Sequence, residues 1–131
     1  MMELTIGGKV YQFRFGLGFV REIDKRVTKP MNGINGKVQN MGMQFAVAGL
    51  IDQDPVELVE ILDVANKTEK PRVTRQELDA YIEDENTDTE TLFNEVLDFL
   101  KSANATKKIT ESVIEETEKA KKKALEEAEM K

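Results

Sequence analysis

Histidine and cysteine are both absent from this chain of 131 residues. The chain therefore has no imidazole base, no thiol nucleophile and no thiolate or imidazole ligand for zinc or an iron–sulfur cluster. A disulfide is equally impossible, so a metal ion would depend on oxygen ligands alone. These absences argue against most kinds of enzyme. The sequence predicts no catalytic residue and no cofactor.

Long apolar runs are also missing. A helix that spans a bilayer needs about 20 apolar residues in succession, and the apolar stretches here are far shorter. The opening Met1-Met2-Glu3 does not resemble a charged and apolar secretion leader. We therefore expect a cytoplasmic protein that has no membrane partner. The length suits one domain with its own hydrophobic core.

Charge is distributed unevenly along the chain, whose net charge is −6. Residues 1–51 contain seven Lys or Arg and three Asp or Glu, whereas residues 52–104 contain five and fifteen. A chain that is acidic overall lacks the dominant basic face with which proteins bind nucleic acid. Opposite charges in two parts of one molecule instead favour head-to-tail contacts between copies.

The first fifteen residues predict a β-hairpin. Gly7-Gly8 supplies the positive φ angles of a two-residue turn. Pairing outward from this turn places Leu4 opposite Tyr11 and Met2 opposite Phe13 on one apolar face. That face has to be covered by the rest of the chain.

Helical spacing and capping residues predict helices over the next hundred residues. The first runs from the Gly16-Leu17-Gly18 break to Lys29-Pro30, and the second spans Val38 to Ile51 after a loop over Pro30 to Gly36. The second contains two glycines, each of which costs about 1 kcal/mol in a helix. Three further helix starts carry capping signals, at Asp54, Thr74 and Thr87. The fold class is therefore α+β, mainly α, with the N-terminal hairpin packed on about five helices.

Beyond Asn104 the composition changes to Lys, Glu and Ala. Few large apolar residues occur there, among them Ile109, Val113, Ile114 and Leu125. So few side chains offer little to bury, although Glu–Lys pairs would support a solvated helix. We expect one globular domain over residues 1–104, followed by a charged tail over residues 105–131 that is helical or disordered.

One acidic stretch has the spacing of calcium ligands. Asp84, Asn86, Asp88 and Glu95 occupy positions one, three, five and twelve of an EF-hand loop between two predicted helices. The sixth position is Thr89, where such a loop needs glycine for its sharp turn. Acidic caps at helix ends explain the same residues more simply, so we predict no metal site here.

Methionines cluster in the first third of the chain. Met31, Met41 and Met43 lie within thirteen residues, and methionine suits surfaces that accept variable apolar partners. Together with Leu17 and Phe19, in the corner after the hairpin, they are the candidate partner-binding residues. The alternative is that the methionines fill gaps in a buried helix.

Residues 6–25 contain the most distinctive pattern of the chain. Ile6 to Tyr11 reads IGGKVY and Phe13 to Asp24 reads FRFGLGFVREID. This segment resembles the tail assembly chaperones of long-tailed phages that infect Gram-positive bacteria. The Phe-x-Phe-Gly-Leu-x-Phe stretch is the most specific part, and a looser similarity extends to about Leu100.

The resemblance implies a non-enzymatic protein of virion assembly that works in the host cytoplasm. Such chaperones coat the long tape measure protein until tail tube subunits displace them. The resemblance also implies self-association into an open spiral and a longer frameshifted form that contacts the tail tube protein. No diagnostic residue of this kind occurs in the charged tail.

Two other functions are compatible with the residues. A structural adaptor that is retained in a complex would share the lack of catalytic side chains. A calcium-responsive binding module would use the Asp84 to Glu95 spacing. Composition and spacing alone do not separate a chaperone from an adaptor.

Overall fold

A computed structural model describes residues 1–31, 33 and 36–130. Part of the predicted loop (Asn32, Ile34 and Asn35) and Lys131 of the tail lie outside the described residues. The described chain forms two antiparallel hairpins and six helices, which confirms the mainly α variety of the α+β class. Within the described ranges, no helix is long and apolar enough to cross a membrane. The elements are β1 (Met2–Ile6), β2 (Lys9–Phe13), α1 (Leu17–Asp24), β3 (Thr28–Pro30), β4 (Val38–Asn40), α2 (Gly42–Ile51), α3 (Pro55–Asn66), α4 (Arg75–Glu83), α5 (Thr89–Ser102) and α6 (Lys107–Glu129).

The N-terminal hairpin has the predicted register. Met2 pairs with Phe13 and Leu4 pairs with Tyr11, and the turn glycines have φ angles of 58° and 81°. The apolar face of the hairpin is buried against α3 and α4. The core continues into the helices with fully buried side chains, among them Ile23, Leu50, Leu58, Ile61, Leu62, Leu78, Val96 and Leu100.

A buried amide locks this hairpin to the end of α3. The Asn66 side chain is fully buried, and its Nδ2 donates to the carbonyls of Gln12 at 2.9 Å and Pro71 at 3.2 Å. Its Oδ1 accepts from Val73 N at 2.7 Å and from Arg72 Nη1 at 2.9 Å. Both donor hydrogens and both acceptor sites of the amide are therefore used.

The segment between α1 and α2 differs from the prediction. The first helix ends at Asp24, not near Lys29, and the second begins at Gly42, not at Val38. Between them, β3 and β4 form a second hairpin whose six residues are all exposed. Two adjacent β-branched residues, Val27 and Thr28, favour an extended chain over a helix here. Pro30 in addition keeps Lys29 out of the helical region of backbone angles. Residues 27–31 and 37–41, which include this hairpin, are here called the arm.

The two glycines of α2 mark places where chain segments approach closely. A Cβ atom on Gly42 would lie 1.7 Å from the carbonyl oxygen of Ile23, and one on Gly49 would lie 2.7 Å from Cγ of Glu57. Only glycine leaves room for these approaches. The packing of α2 on α1 and α3 therefore explains why this helix contains two glycines, although glycine destabilises a helix.

Two of the three predicted helix starts are confirmed. Asp54 caps α3 with its carboxylate, and Thr74 opens a complete capping box at α4. The third start lies one residue later than predicted. Asp88, and not Thr87, is the N-cap of α5, because its carboxylate accepts from Thr91 N at 3.1 Å.

The charged tail is helical, and its beginning is packed. Thr106, Thr110 and Val113 are buried where α6 meets α2 and α5. The expectation that this segment has little to bury is wrong for these residues, because threonine methyl groups fill small spaces while the hydroxyls bond to the backbone. Thr106 Oγ1, for example, donates to the carbonyl of Leu100 at 2.7 Å. Residues 118–130 are all exposed, and independent folding of residues 1–104 stays a prediction.

Candidate functional site

The five candidate binding residues do not form one surface. Phe19 is 5 % exposed and Met43 is 2 % exposed, so both are core residues in this fold. Leu17 and Met31 are exposed, and Met41 is half-buried. For Met43, the alternative of a gap-filling core methionine is therefore the correct one.

The exposed members of this set lie in two places. Leu17 stands beside a hollow of about 460 Å³ whose walls include Gly16, Gly18 and Val64. Met31 and Met41 belong to the arm, where Met41 N donates to the carbonyl of Val27 at 2.6 Å and closes its base. Phe19 lies under the hollow and packs edge-on against the ring of Phe15 at 5.1 Å between centroids.

A larger apolar groove lies between α2 and α6, with a volume of about 570 Å³. On the α2 side, Phe45 is 57 % exposed although it is a large aromatic residue. We call this feature the α2–α6 groove. It is lined by Gln44, Phe45, Ala48, Asp52, Val113, Glu116, Thr117, Ala120, Lys121 and Ala124.

The groove follows from the side-chain pattern of α6. Thr110, Val113, Thr117, Ala120 and Ala124 recur at intervals of three and four residues, so they share one face of the helix. The first two are buried beneath α2 and α5, whereas the two alanines are exposed. The N-terminal part of this stripe of small side chains is therefore packed against other helices, and its C-terminal part is exposed.

The other wall of the groove follows from the composition of α2, which is apolar on most of its circumference. Ala46, Val47 and Leu50 are buried in the core, and Phe45 and Ala48 line the groove. A helix that is apolar all round is normally covered on every side. The side of α2 that carries Phe45 is not covered by the described residues.

The groove also has polar lining residues. Asp52, Glu116 and Lys121 lie among its lining residues. Oε1 of Gln44 is buried and accepts no hydrogen bond from the described residues. A buried carbonyl oxygen without a donor costs free energy. A partner that brings an N–H or O–H group to this point would remove that cost.

The residues with EF-hand spacing cap and turn the chain between α4 and α5. Asp84 accepts from Asn86 N at 2.9 Å. Asp88 accepts from both the backbone N–H and the hydroxyl of Thr91, and these bonds lower the pKa of its carboxyl, the hydroxyl contributing most. Across the described part of the chain, no three acidic, histidine or cysteine side chains are grouped closely enough to hold a metal ion.

Several shifted pKa values arise from structural contacts away from the groove. The pKa of Glu77 is lowered first by the backbone N–H of Thr74 and then by the hydroxyl of Tyr11, which donates to it at 2.9 Å. Burial raises the pKa of Glu57, and the neighbouring Asp54 adds to that rise. None of these five residues lines the α2–α6 groove.

A sequence search for apolar residues at helical spacing would have identified the α6 stripe. Its alanines give a weak signal, because alanine is common on solvated helices. The stripe forms one wall of a groove only because α2 lies beside it and covers no more than its beginning.

The chain was also compared with models of known protein families. A model of the phage tail assembly chaperone protein family matches residues 3–127. The match includes both hairpins except Met2, and it includes the residues that line the α2–α6 groove. The resemblance visible in the sequence is concentrated between Ile6 and Lys25. No curated protein and no solved structure matches the chain.

Proposed function

Since this chain belongs to the phage tail assembly chaperone family, we propose that it coats the tape measure protein in the host cytoplasm and helps to recruit tail tube subunits, which then displace it. The role is non-enzymatic and consists of binding. The observation that carries the proposal is the α2–α6 groove, in which an exposed aromatic ring stands beside a stripe of small side chains.

The groove suits a helix of the tape measure protein. Amphipathic helices bind in apolar grooves through side chains at intervals of three and four residues. Ala120 and Ala124 allow the backbone of such a helix to approach α6 closely, and Phe45 supplies an apolar wall. A polar side chain of the partner would donate to Gln44 Oε1 and fix the position of the helix along the groove.

One groove gives only weak binding, which suits a coat that has to be removed. At about 25 cal/mol per Å² of apolar surface, covering Phe45 and two alanines contributes a few kcal/mol at most. Much of that gain is offset by the lost freedom of the partners. Several copies on one long chain add their affinities through effective concentration, so the coat is stable while each copy exchanges.

Self-association is part of this proposal. The positive charge of residues 1–51 and the negative charge of residues 52–104 favour contacts between unlike ends of two copies. Such contacts continue into an open spiral unless the rotation between copies closes a ring. Leu17, Met31 and Met41 are proposed as secondary contacts within the coat, and a longer frameshifted form of the chain is proposed to hold the tail tube protein.

Co-purification with the tape measure protein tests the use of the groove. We expect Phe45→Glu to reduce the recovered tape measure protein at least about tenfold, because a carboxylate would have to be desolvated in an apolar contact. Val10→Glu is the matched control, since Val10 is 50 % exposed on β2 and does not line the α2–α6 groove. Circular dichroism and thermal melting would show that both variants fold.

The comparison between the two variants decides the result. Loss of binding in Phe45→Glu alone supports the proposal. Full binding by a folded Phe45→Glu protein would place the tape measure contact elsewhere. Equal loss in both variants would show that added negative charge, and not the groove, controls binding.

A further inference from the structure

Within the part of the chain that the structure describes, the two strands of the arm pair only with each other. All six residues of β3 and β4 are exposed, and Val38 is 58 % exposed. An isolated two-stranded hairpin is marginally stable in water, and its free edges favour contact with another surface. These features of the arm favour binding to another protein surface.

The chemistry of the arm is apolar and basic. Pro30 pairs with Val38 on one face, and Lys29 pairs with Gln39 on the other. Residues 25–51 contain four Lys or Arg and no acidic residue. Lys29 and Lys37 form no ion pair with the described residues. A fitting surface would be apolar with an acidic edge.

Such a surface exists between α3 and α4. A groove of about 350 Å³ has an apolar floor that includes Val56, Val59 and Ile82, and Val56 is 70 % exposed. Asp79 and Glu83 stand at its edge, both exposed and without an ion pair to any described residue. Arg75 of α4 also lines this groove, but its guanidinium pairs with Glu60 and Asp63. Residues 76–100 contain nine acidic residues and no basic one, so the edge at Asp79 and Glu83 is acidic.

We infer that the arm of one copy binds in the α3–α4 groove of a second copy. Pro30 and Val38 cover the apolar floor. The long side chains of Lys29 and Lys37, which start from the opposite face of the hairpin, extend past its edges to pair with Asp79 and Glu83. The arm does not occupy the groove of its own chain, because its strand residues are exposed there. The inference rests on the proposed self-association, and it is independent of tape measure binding at the α2–α6 groove.

This contact joins two different surfaces and therefore propagates. Each copy presents one arm and one groove, so every bound copy leaves one of each free for the next. The interaction is weakened by salt, because the paired charges are exposed. The α2–α6 groove stays open on every copy, since neither of the two contact surfaces includes it.

Charge reversal on both surfaces tests the inference. Sedimentation equilibrium of the full chain would compare Lys29→Glu/Lys37→Glu with Asp79→Lys/Glu83→Lys. Each variant alone should associate at least about 100-fold more weakly than the unchanged chain, because like charges then face each other. An equimolar mixture should recover association, since the acidic arm of one variant meets the basic groove of the other.

Lys119→Glu/Lys123→Glu is the matched control, because it makes the same change of charge on the exposed part of α6. It should associate like the unchanged chain. Recovery in the mixture also shows that both variants fold. If the unchanged chain associates and both reversed variants do so equally well, or if their mixture stays monomeric, the inference is wrong. If the unchanged chain is monomeric at every concentration, the proposed self-association fails as well, whereas tape measure binding at the α2–α6 groove is not affected.

Discussion

The two hairpins of this chain share antiparallel pairing and differ in what their faces contact. Along β1 the residues alternate between buried and exposed, and the apolar side is covered by α3 and α4. Along β3 and β4 every residue is exposed. The first hairpin therefore takes its stability from the core, whereas the second buries none of its strand residues against the part of the chain that the structure describes. This difference is the reason why we propose that a second copy of the chain covers the arm.

The largest difference is expected when one apolar residue of each hairpin is truncated. Phe13→Ala should lower the free energy of unfolding by about 3–5 kcal/mol, because it opens a cavity at a fully buried aromatic position. Val38→Ala should change it by less than about 0.5 kcal/mol, because Val38 is exposed. Urea titration followed by circular dichroism measures both. A loss of several kcal/mol in Val38→Ala would show that the arm packs on its own domain.

The amide lock of the first hairpin gives the next largest effect. Asn66→Ala should cost roughly 2–3 kcal/mol, since the backbone groups of Gln12, Pro71 and Val73 lose their buried partner. Asn40→Ala in the arm is the control and should be nearly neutral, because Asn40 is exposed. Thermal melting of the two variants compares them. Equal melting temperatures would mean that water replaces the Asn66 contacts.

The next effect concerns Gly42, which follows the arm directly and is the first residue of α2. Gly42→Ala should cost about 1–3 kcal/mol, because the new methyl group would overlap the Ile23 carbonyl and push α2 from α1. Gly18→Ala is the control, since a Cβ atom there meets nothing within 4 Å. Urea midpoints of both variants measure the cost. If Gly42→Ala leaves the urea midpoint unchanged, α1 and α2 can separate without a loss of stability.

The smallest effect concerns pH. The pKa of Glu77 is lowered in the fold, so its stabilising contribution is present above its ordinary pKa and is lost as the pH falls through the lowered one. Tyr11→Phe removes one cause of that lowering and should make the loss of stability in acid less steep. Substitutions in the arm should leave the slope unchanged, because residues 25–51 contain no carboxylate. Unfolding midpoints between pH 3 and 6 would show the slopes, and identical slopes for Tyr11→Phe and the unchanged chain would contradict the assignment.

The first hairpin could be predicted because local signals agree with tertiary packing. Gly7-Gly8 determines the turn, and alternation from Met2 to Phe13 determines the register. The second hairpin has no buried face and hence no apolar alternation, so helical spacing through Val27 suggested a helix. The burial of Phe19 and Met43 depends on how α1, α2 and α3 meet, which spacing along the chain does not specify.

The candidate site was predicted less well than the fold. An exposed methionine and a buried one have the same sequence signal, as Met31 and Met43 show. The α2–α6 groove needs two helices that are distant in sequence, and its alanines become meaningful only beside Phe45. The family resemblance at residues 6–25 was the stronger guide, and the match over residues 3–127 confirms it.

Binding of the tape measure protein at the α2–α6 groove is tested most directly by a methyl NMR titration of the chain with a synthetic helical segment of that protein. The account predicts that the methyl signals of Ala48, Ala120 and Ala124 shift and saturate together, because these residues line the α2–α6 groove. The signals of Val10, on the first hairpin, and Val56, on α3, should stay unchanged although both residues are at least 50 % exposed. Shifts at Val10 or Val56 without any change at the three alanines would contradict the account.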